Sequence, residues 1–149
     1  MTVTANFDTA ALNNWLSDLS DDVQQALRPA AQAGAQVLYN AVQLNVPTSK
    51  KSHWFHGTSF KLNGKKYKFE PGTLKGAIYQ VHSADNSDKT NQTYHVSWNH
   101  KKAPYGFMVE YGTQSGARPV AFVRRAADLQ PKALEAVQAK LFATLQHFK

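Results

Sequence analysis

The chain has 149 residues, 42% of them hydrophobic, and no cysteine. That is the length of one domain, able to bury a core without disulfide staples, and thiolate chemistry is excluded. The net charge of +7 is unevenly spread: residues 1–46 hold four acids against Arg28 (net −3), residues 47–102 ten lysines against three acids (net +7), and residues 103–149 six bases against three acids (net +3).

Asp8 predicts the cap of a first helix running to about Leu19, with Ala11, Leu12, Trp15, Leu16 and Leu19 on one face. Ser20-Asp21-Asp22 predicts a fresh start, with acids in the first turn. The apolar series then runs Val23, Leu27, Ala30, Gly34, Val37, Leu38, Ala41 and Leu44. It keeps phase through Pro29, where a kink or restart is expected. The small residues Ala30, Ala31, Ala33, Gly34 and Ala35 leave room for a second element, and Pro47 ends the helix.

Phe60 to Phe69 carries a hairpin signal. Asn63-Gly64 suits a tight turn, and Phe60, Leu62, Tyr67 and Phe69 alternate with Lys61, Lys66 and Lys68. Strands are predicted over Leu74–Val81, Thr93–Asn99 and Phe107–Tyr111. The polar loop from His82 to Gln92 has no apolar anchor. After Tyr111, Gly112 and Thr113 end the run, Gln114 to Ala117 form a loop, and Phe122 and Val123 are expected to plug the core. Lys132 to Phe148 predicts an amphipathic helix, with Leu134, Val137, Leu141, Leu145 and Phe148 on its inner face. The sum is an α+β domain: an antiparallel sheet, a long kinked N-terminal helix and a C-terminal helix packed on one face, and a basic hairpin.

The chemistry-bearing residues do not assemble into a catalytic motif. His53 and His56 lack a carboxylate at ligand spacing, no Gly-x-Ser-x-Gly elbow is present, and Gly106, Gly112 and Gly116 are not followed by Gly-Lys-Ser/Thr. No enzyme, metal or cofactor is expected. Nor is a signal peptide or a membrane-spanning run, so a soluble protein is expected. Binding is the remaining class. Tyr105, Glu110, Tyr111, Arg118, Arg124 and Arg125 cluster in one segment, where Glu110 either faces solvent or pairs with one of the arginines. Lys61, Lys65, Lys66 and Lys68, interleaved with aromatics, could grip a nucleic acid. A solvated edge hairpin explains the same lysines.

The segment Tyr105-Gly-Phe-Met-Val-Glu-Tyr-Gly-Thr113, followed by Pro119-Val-Ala-Phe-Val-Arg-Arg-Ala126, resembles the tail-completion family of long-tailed bacteriophages. There a Tyr-x-x-x-Val-Glu-Tyr-Gly-Thr run precedes Pro-x-x-Phe-x-Arg-x-Ala. Leu44-Asn-Val-Pro47 and Gly72-Thr-Leu-Lys-Gly-Ala-Ile78 match the family's helix end and strand start, in the same order. About two dozen residues, Thr48 to Pro71, intervene where the family has almost none. The resemblance implies a structural virion protein, assembled in the host cytoplasm. It would form a ring, by resemblance a hexamer, that completes the tail and meets head-connector or stopper proteins on one side and tail-tube or tail-terminator proteins on the other. A tail-terminator ring and a nucleic-acid-binding module are the alternatives, and genome DNA passing through a ring allows contact with it. Interface residues on this reading are Phe60, Tyr67, Tyr105, Glu110, Tyr111, Arg118, Arg124 and Arg125.

Overall fold

A computed structural model describes residues 10–56, 64 and 66–146, and of residues 10–16 and 18 the backbone alone. Phe60, Lys61 and Lys65 therefore lie outside the described residues. The elements in order are α1 (Ala10–Asn45), β1 (His53–Phe55), β2 (Tyr67–Phe69), the single turn α2 (Thr73–Gly76), β3 (Ile78–His82), a 3-10 turn (Ala84–Asn86), β4 (Tyr94–Trp98), α3 (Gly106–Tyr111), a 3-10 helix (Arg124–Leu129) and α4 (Gln130–Gln146). The fold is α+β, with α1 packed against α4 and two small antiparallel sheets.

α1 is uninterrupted, without a restart at Ser20 or Pro29. Pro29 and Gln25, whose carbonyl loses its partner, are both exposed, so solvent can satisfy that carbonyl. Ala26 and Ala30, on the other side, are fully buried. The small-residue stretch does admit a partner. A Cβ built on Gly34 would stand 2.5 Å from Val137 Cγ2 and 3.1 Å from the Ala133 carbonyl oxygen, both on α4. Absence of a side chain is what lets the two helices touch there. Toward its C-terminus the buried face of α1 turns to Val42 and Val46, which meet a different neighbour, the cluster around Phe122. Leu44 falls outside that face and is 83% exposed. On α4, Ala133 is buried and Val137 half-buried, whereas Leu134 is exposed.

Two predicted strands are corrected. Leu74–Val81 begins as a helical turn: Gly72 has φ +83°, the Gly76 N–H donates to the Gly72 carbonyl at 2.8 Å, and extended structure starts at Ile78. Buried Leu74, Ala77 and Ile78 sit at helical spacing. Phe107–Tyr111 is helical throughout. The inward residues of α3 are Gly106 and Glu110, which continue from buried Ala103 just before the helix at spacings of three and four, while Phe107, Met108 and Tyr111 are exposed. The aromatic alternation suggested a strand because the residues that face inward are small or acidic. With that strand lost, the expected core sheet is reduced to the β3–β4 pair, and β1–β2 forms a second, separate pair.

The hairpin also differs. Tyr67–Phe69 pairs antiparallel with His53–Phe55, in the register His53 with Phe69 and Phe55 with Tyr67. The loop before β4 is braced rather than unanchored. The Asp88 carboxylate accepts from the N–H groups of Thr90 and Asn91, each at 2.7 Å, and from the Thr90 hydroxyl at 2.9 Å. These bonds hold its pKa below the usual carboxylate range, the Thr90 N–H foremost. His82 Nε2 meets Gln92 Oε1 at 2.9 Å across the loop's base. Among the described residues, no helix is long and apolar enough to cross a membrane.

Candidate functional site

The segment from residue 105 to 126, expected to open with a strand, is a helix–loop–helix junction organised by one acid. Glu110 is 1% exposed. Its Oε2 accepts the Val123 N–H at 2.9 Å, and Oε1 accepts both the Arg124 N–H and Arg124 Nε–H at 3.1 Å. Arg124 Nη2 then donates to the Glu110 carbonyl oxygen at 2.9 Å. The carboxylate thus caps the first N–H groups of the 3-10 helix, where the peptide dipoles favour negative charge, and pairs with an arginine of that helix. Of the three arginines offered by the sequence, Arg124 is the partner. Arg118 and Arg125 are exposed and make no ion pair within the described residues. The Arg124 guanidinium also lies 4.9 Å from the Tyr111 ring centroid, a cation–π contact.

The intervening loop is short because it closes on itself. The Thr113 N–H donates to the Ala117 carbonyl at 3.0 Å, and Thr113 Oγ1 accepts the Ala117 N–H at 3.1 Å. Gly112 has φ +81°, and a Cβ there would stand 2.6 Å from the Ala117 carbonyl oxygen. Both conformation and space require glycine. The Val120 N–H then returns to the Val109 carbonyl at 2.8 Å, and Ala121, at φ +53°, turns Phe122 into the core. Phe122 is fully buried, 5.5 Å from the Trp98 ring, and its carbonyl accepts from Asn45 of α1. α3 comes equally close to Trp98: a Cβ on Gly106 would stand 2.4 Å from the indole Nε1.

Around this junction the side chains divide. Tyr105 belongs to an aromatic cluster, with His53 at 4.7 Å and Phe69 at 4.9 Å between ring centroids. Burial raises its phenol pKa. The inner face of the β1–β2 hairpin is therefore fixed to the domain through Tyr105. Phe107 and Tyr111 pack on the outside with their rings tilted and centroids 4.7 Å apart, with Met108 beside them in chain, all exposed. A groove of about 410 Å³ opens between the hairpin and α3, with Pro47, Phe55, Leu74, Tyr105 and Met108 in its walls. Tyr67 and Lys66 are exposed on the hairpin, and Lys68 forms an ion pair with Glu70 at 3.3 Å. Among the described residues, no group of three or more histidines and acids is placed to hold a metal.

Sequence reasoning missed His53, Phe55 and Phe69 as the seat of Tyr105, and Phe107 and Met108 as surface. The density of aromatics in the inserted segment was the available signal for the first. Nothing in the pattern marked the second, because a helix with a small-and-acidic inner face inverts the usual cue. Compared with known proteins, the chain matches no family model, no curated protein and no solved structure.

Proposed function

We propose that this chain is a structural protein of a phage neck, a ring subunit that completes the tail and joins it to the head connector. The observation that supports this most is the Glu110–Arg124 tie. Glu110 belongs to one and Arg124 to the other of the two motifs that carry the family resemblance, Val-Glu-Tyr-Gly-Thr and Pro-x-x-Phe-x-Arg-x-Ala, and they meet through three hydrogen bonds. The two stretches that carry the likeness are thus in direct contact across a short loop. Gly112 and Phe122 of the same motifs each occupy a place that their size and backbone conformation demand. The motif is thereby an architectural device, one that holds a corner rigid and turns Phe107, Met108 and Tyr111 outward.

In this reading the work of the protein is binding. Self-association covers the exposed apolar side chains, and the flanking partners are head-connector and tail proteins. Its place is the virion. Native mass spectrometry of the purified chain, with electron microscopy of tails made with and without it, is the test. The expected result is a closed oligomer and, without the protein, tails that fail to join heads. A chain that stays monomeric at every concentration and never enters a particle sinks the proposal. Binding to DNA that depends on Lys61, Lys65, Lys66 and Lys68 and falls steeply with salt, without any oligomer, favours a nucleic-acid-binding module instead.

A further inference from the structure

The β3–β4 pair has an open edge along β3. The N–H groups of Asn99 and Ser83 donate to the carbonyls of Ala77 and Thr93, so in this register the odd-numbered residues of β3 exchange backbone bonds with β4. Ile78, Gln80 and His82 then aim their backbone groups away from β4. Those of Gln80 and His82 meet no partner among the described residues. Tyr79 and Gln80 face opposite sides of the strand, and a recess of about 490 Å³ lined by both opens at this edge, against Gln32, Gln36 and Tyr39 of α1. No charged residue lines it. On the outer face Tyr79 is 39% and Val81 47% exposed. Open edges are ordinarily guarded by lysine, proline or a bulge. β2 carries Lys68, but Ile78-Tyr-Gln-Val-His82 has neither lysine nor proline and pairs with β4 without a bulge.

We propose that the β3 edge pairs antiparallel with the β3 edge of a second copy, joining the two pairs into one four-stranded sheet about a two-fold axis at Gln80. This goes beyond the neck reading and does not rest on it. Three observations select a second copy as the occupant. The edge is self-complementary: with Gln80 opposite its counterpart, Ile78 stands opposite His82, and every outward backbone group falls in a hydrogen-bonded pair. The same register sets exposed Tyr79 against exposed Val81 across the axis, in the closer, non-bonded position, so an aromatic–β-branched pair forms twice. Charge favours this approach over others. A chain of net charge +7 repels its own copy, whereas β3 and the recess beside it hold no lysine, arginine or carboxylate. The contact is isologous and closes on itself.

Two variants test the contact. Q80P removes an outward donor and leaves the β3–β4 bonds in place. V81K sets a lysine on the exposed face opposite Tyr79. Circular dichroism checks that each is folded. In sedimentation, each is expected to weaken the wild-type dimer at least about tenfold. A second measurement reads the register. The chain has no cysteine, so Y79C copies mixed with V81C copies and oxidised should give a disulfide-linked dimer, whereas either alone should not. A dimer lost in V81K, with the mixed cross-link formed, supports the contact whether or not the chain enters a particle. An oligomer that survives both variants, with no cross-link between Y79C and V81C, overturns this contact and leaves the ring reading standing. A wild-type chain that is monomeric throughout overturns both. Linkage of V81C to H95C in place of Y79C shows a head-to-tail β3–β4 contact and overturns the two-fold pairing, as does linkage of V81C to a different tail component alone.

Discussion

Glu110, left by its sequence context either facing solvent or paired with an arginine, serves the fold as a buried cap. Both carboxylate oxygens are occupied by donors from residues 123 and 124. Replacing it with Gln keeps the shape but turns one acceptor into a donor facing N–H groups. E110Q is expected to lose about 2–3 kcal/mol in urea unfolding, the range for leaving buried donors unmatched beside a charged partner. R124A should cost less, since that side chain is 55% exposed and Glu110 keeps both backbone donors. If E110Q matches wild type, the cap is not what holds the corner.

Tyr105 makes a pH prediction with a definite sign. Its phenol pKa is raised in the folded chain, by burial before anything else. The unfolded phenol ionises near pH 10.0, while the folded one still keeps its proton. Stability from this group is complete below that pH and is lost as pH rises through the folded pKa. Unfolding curves at about pH 8 and about pH 11 should therefore show a larger alkaline loss in wild type than in Y105F. Equal losses in the two proteins remove Tyr105 as the cause.

At the scale of elements, the pairing of α1 with α4 depends on what Gly34 lacks. Alanine is the better helix former by about 1 kcal/mol, but its methyl collides with Val137, whose branched side chain has little rotamer freedom. The nearby Ala133 carbonyl leaves no retreat. G34A is expected to destabilise by about 1–2 kcal/mol, and the double variant G34A/V137A by less than the sum of the two single changes. Strict additivity in denaturant unfolding counts against direct contact. Gly106 is a harder case. Its neighbour is the Trp98 indole, buried and wedged against Phe122, so G106A should cost about 2–3 kcal/mol.

Across the whole molecule, a body and an appendage can be told apart. The body is α1, α4, the β3–β4 pair and the cluster of Val42, Trp98 and Phe122. The β1–β2 hairpin contributes none of the buried residues in that cluster and meets the domain through aromatic contacts to Tyr105. Removal of residues 52–70 with a short glycine linker is expected to leave a cooperatively folding, helical chain with stability lowered by about 1–3 kcal/mol. Complete loss of the helical circular dichroism signal would place the hairpin in the body instead.

The sequence by itself determined the composition of the body. The 3.6-residue spacing in α1 and α4, with Leu44 and Leu134 as exceptions, Pro47 as a stop, the small residues of the helix contact and the β4 strand are present in the structure, because each depends on neighbours three or four residues away or on a local steric rule. The role of Gly112 and the burial of Phe122 were legible for the same reason. What only the tertiary structure decided depends on residues far apart in the chain. Whether residues 107–111 form a strand or a helix turns on Trp98 accepting Gly106 and on residues 123 and 124 supplying donors to Glu110. The partner of Tyr67–Phe69 lies more than ten residues upstream, beyond the nearer turn signal at Asn63-Gly64. Local alternation scores aromatic side chains as inward, but a buried carboxylate with three hydrogen bonds can face inward instead, and the aromatics are then left on the surface.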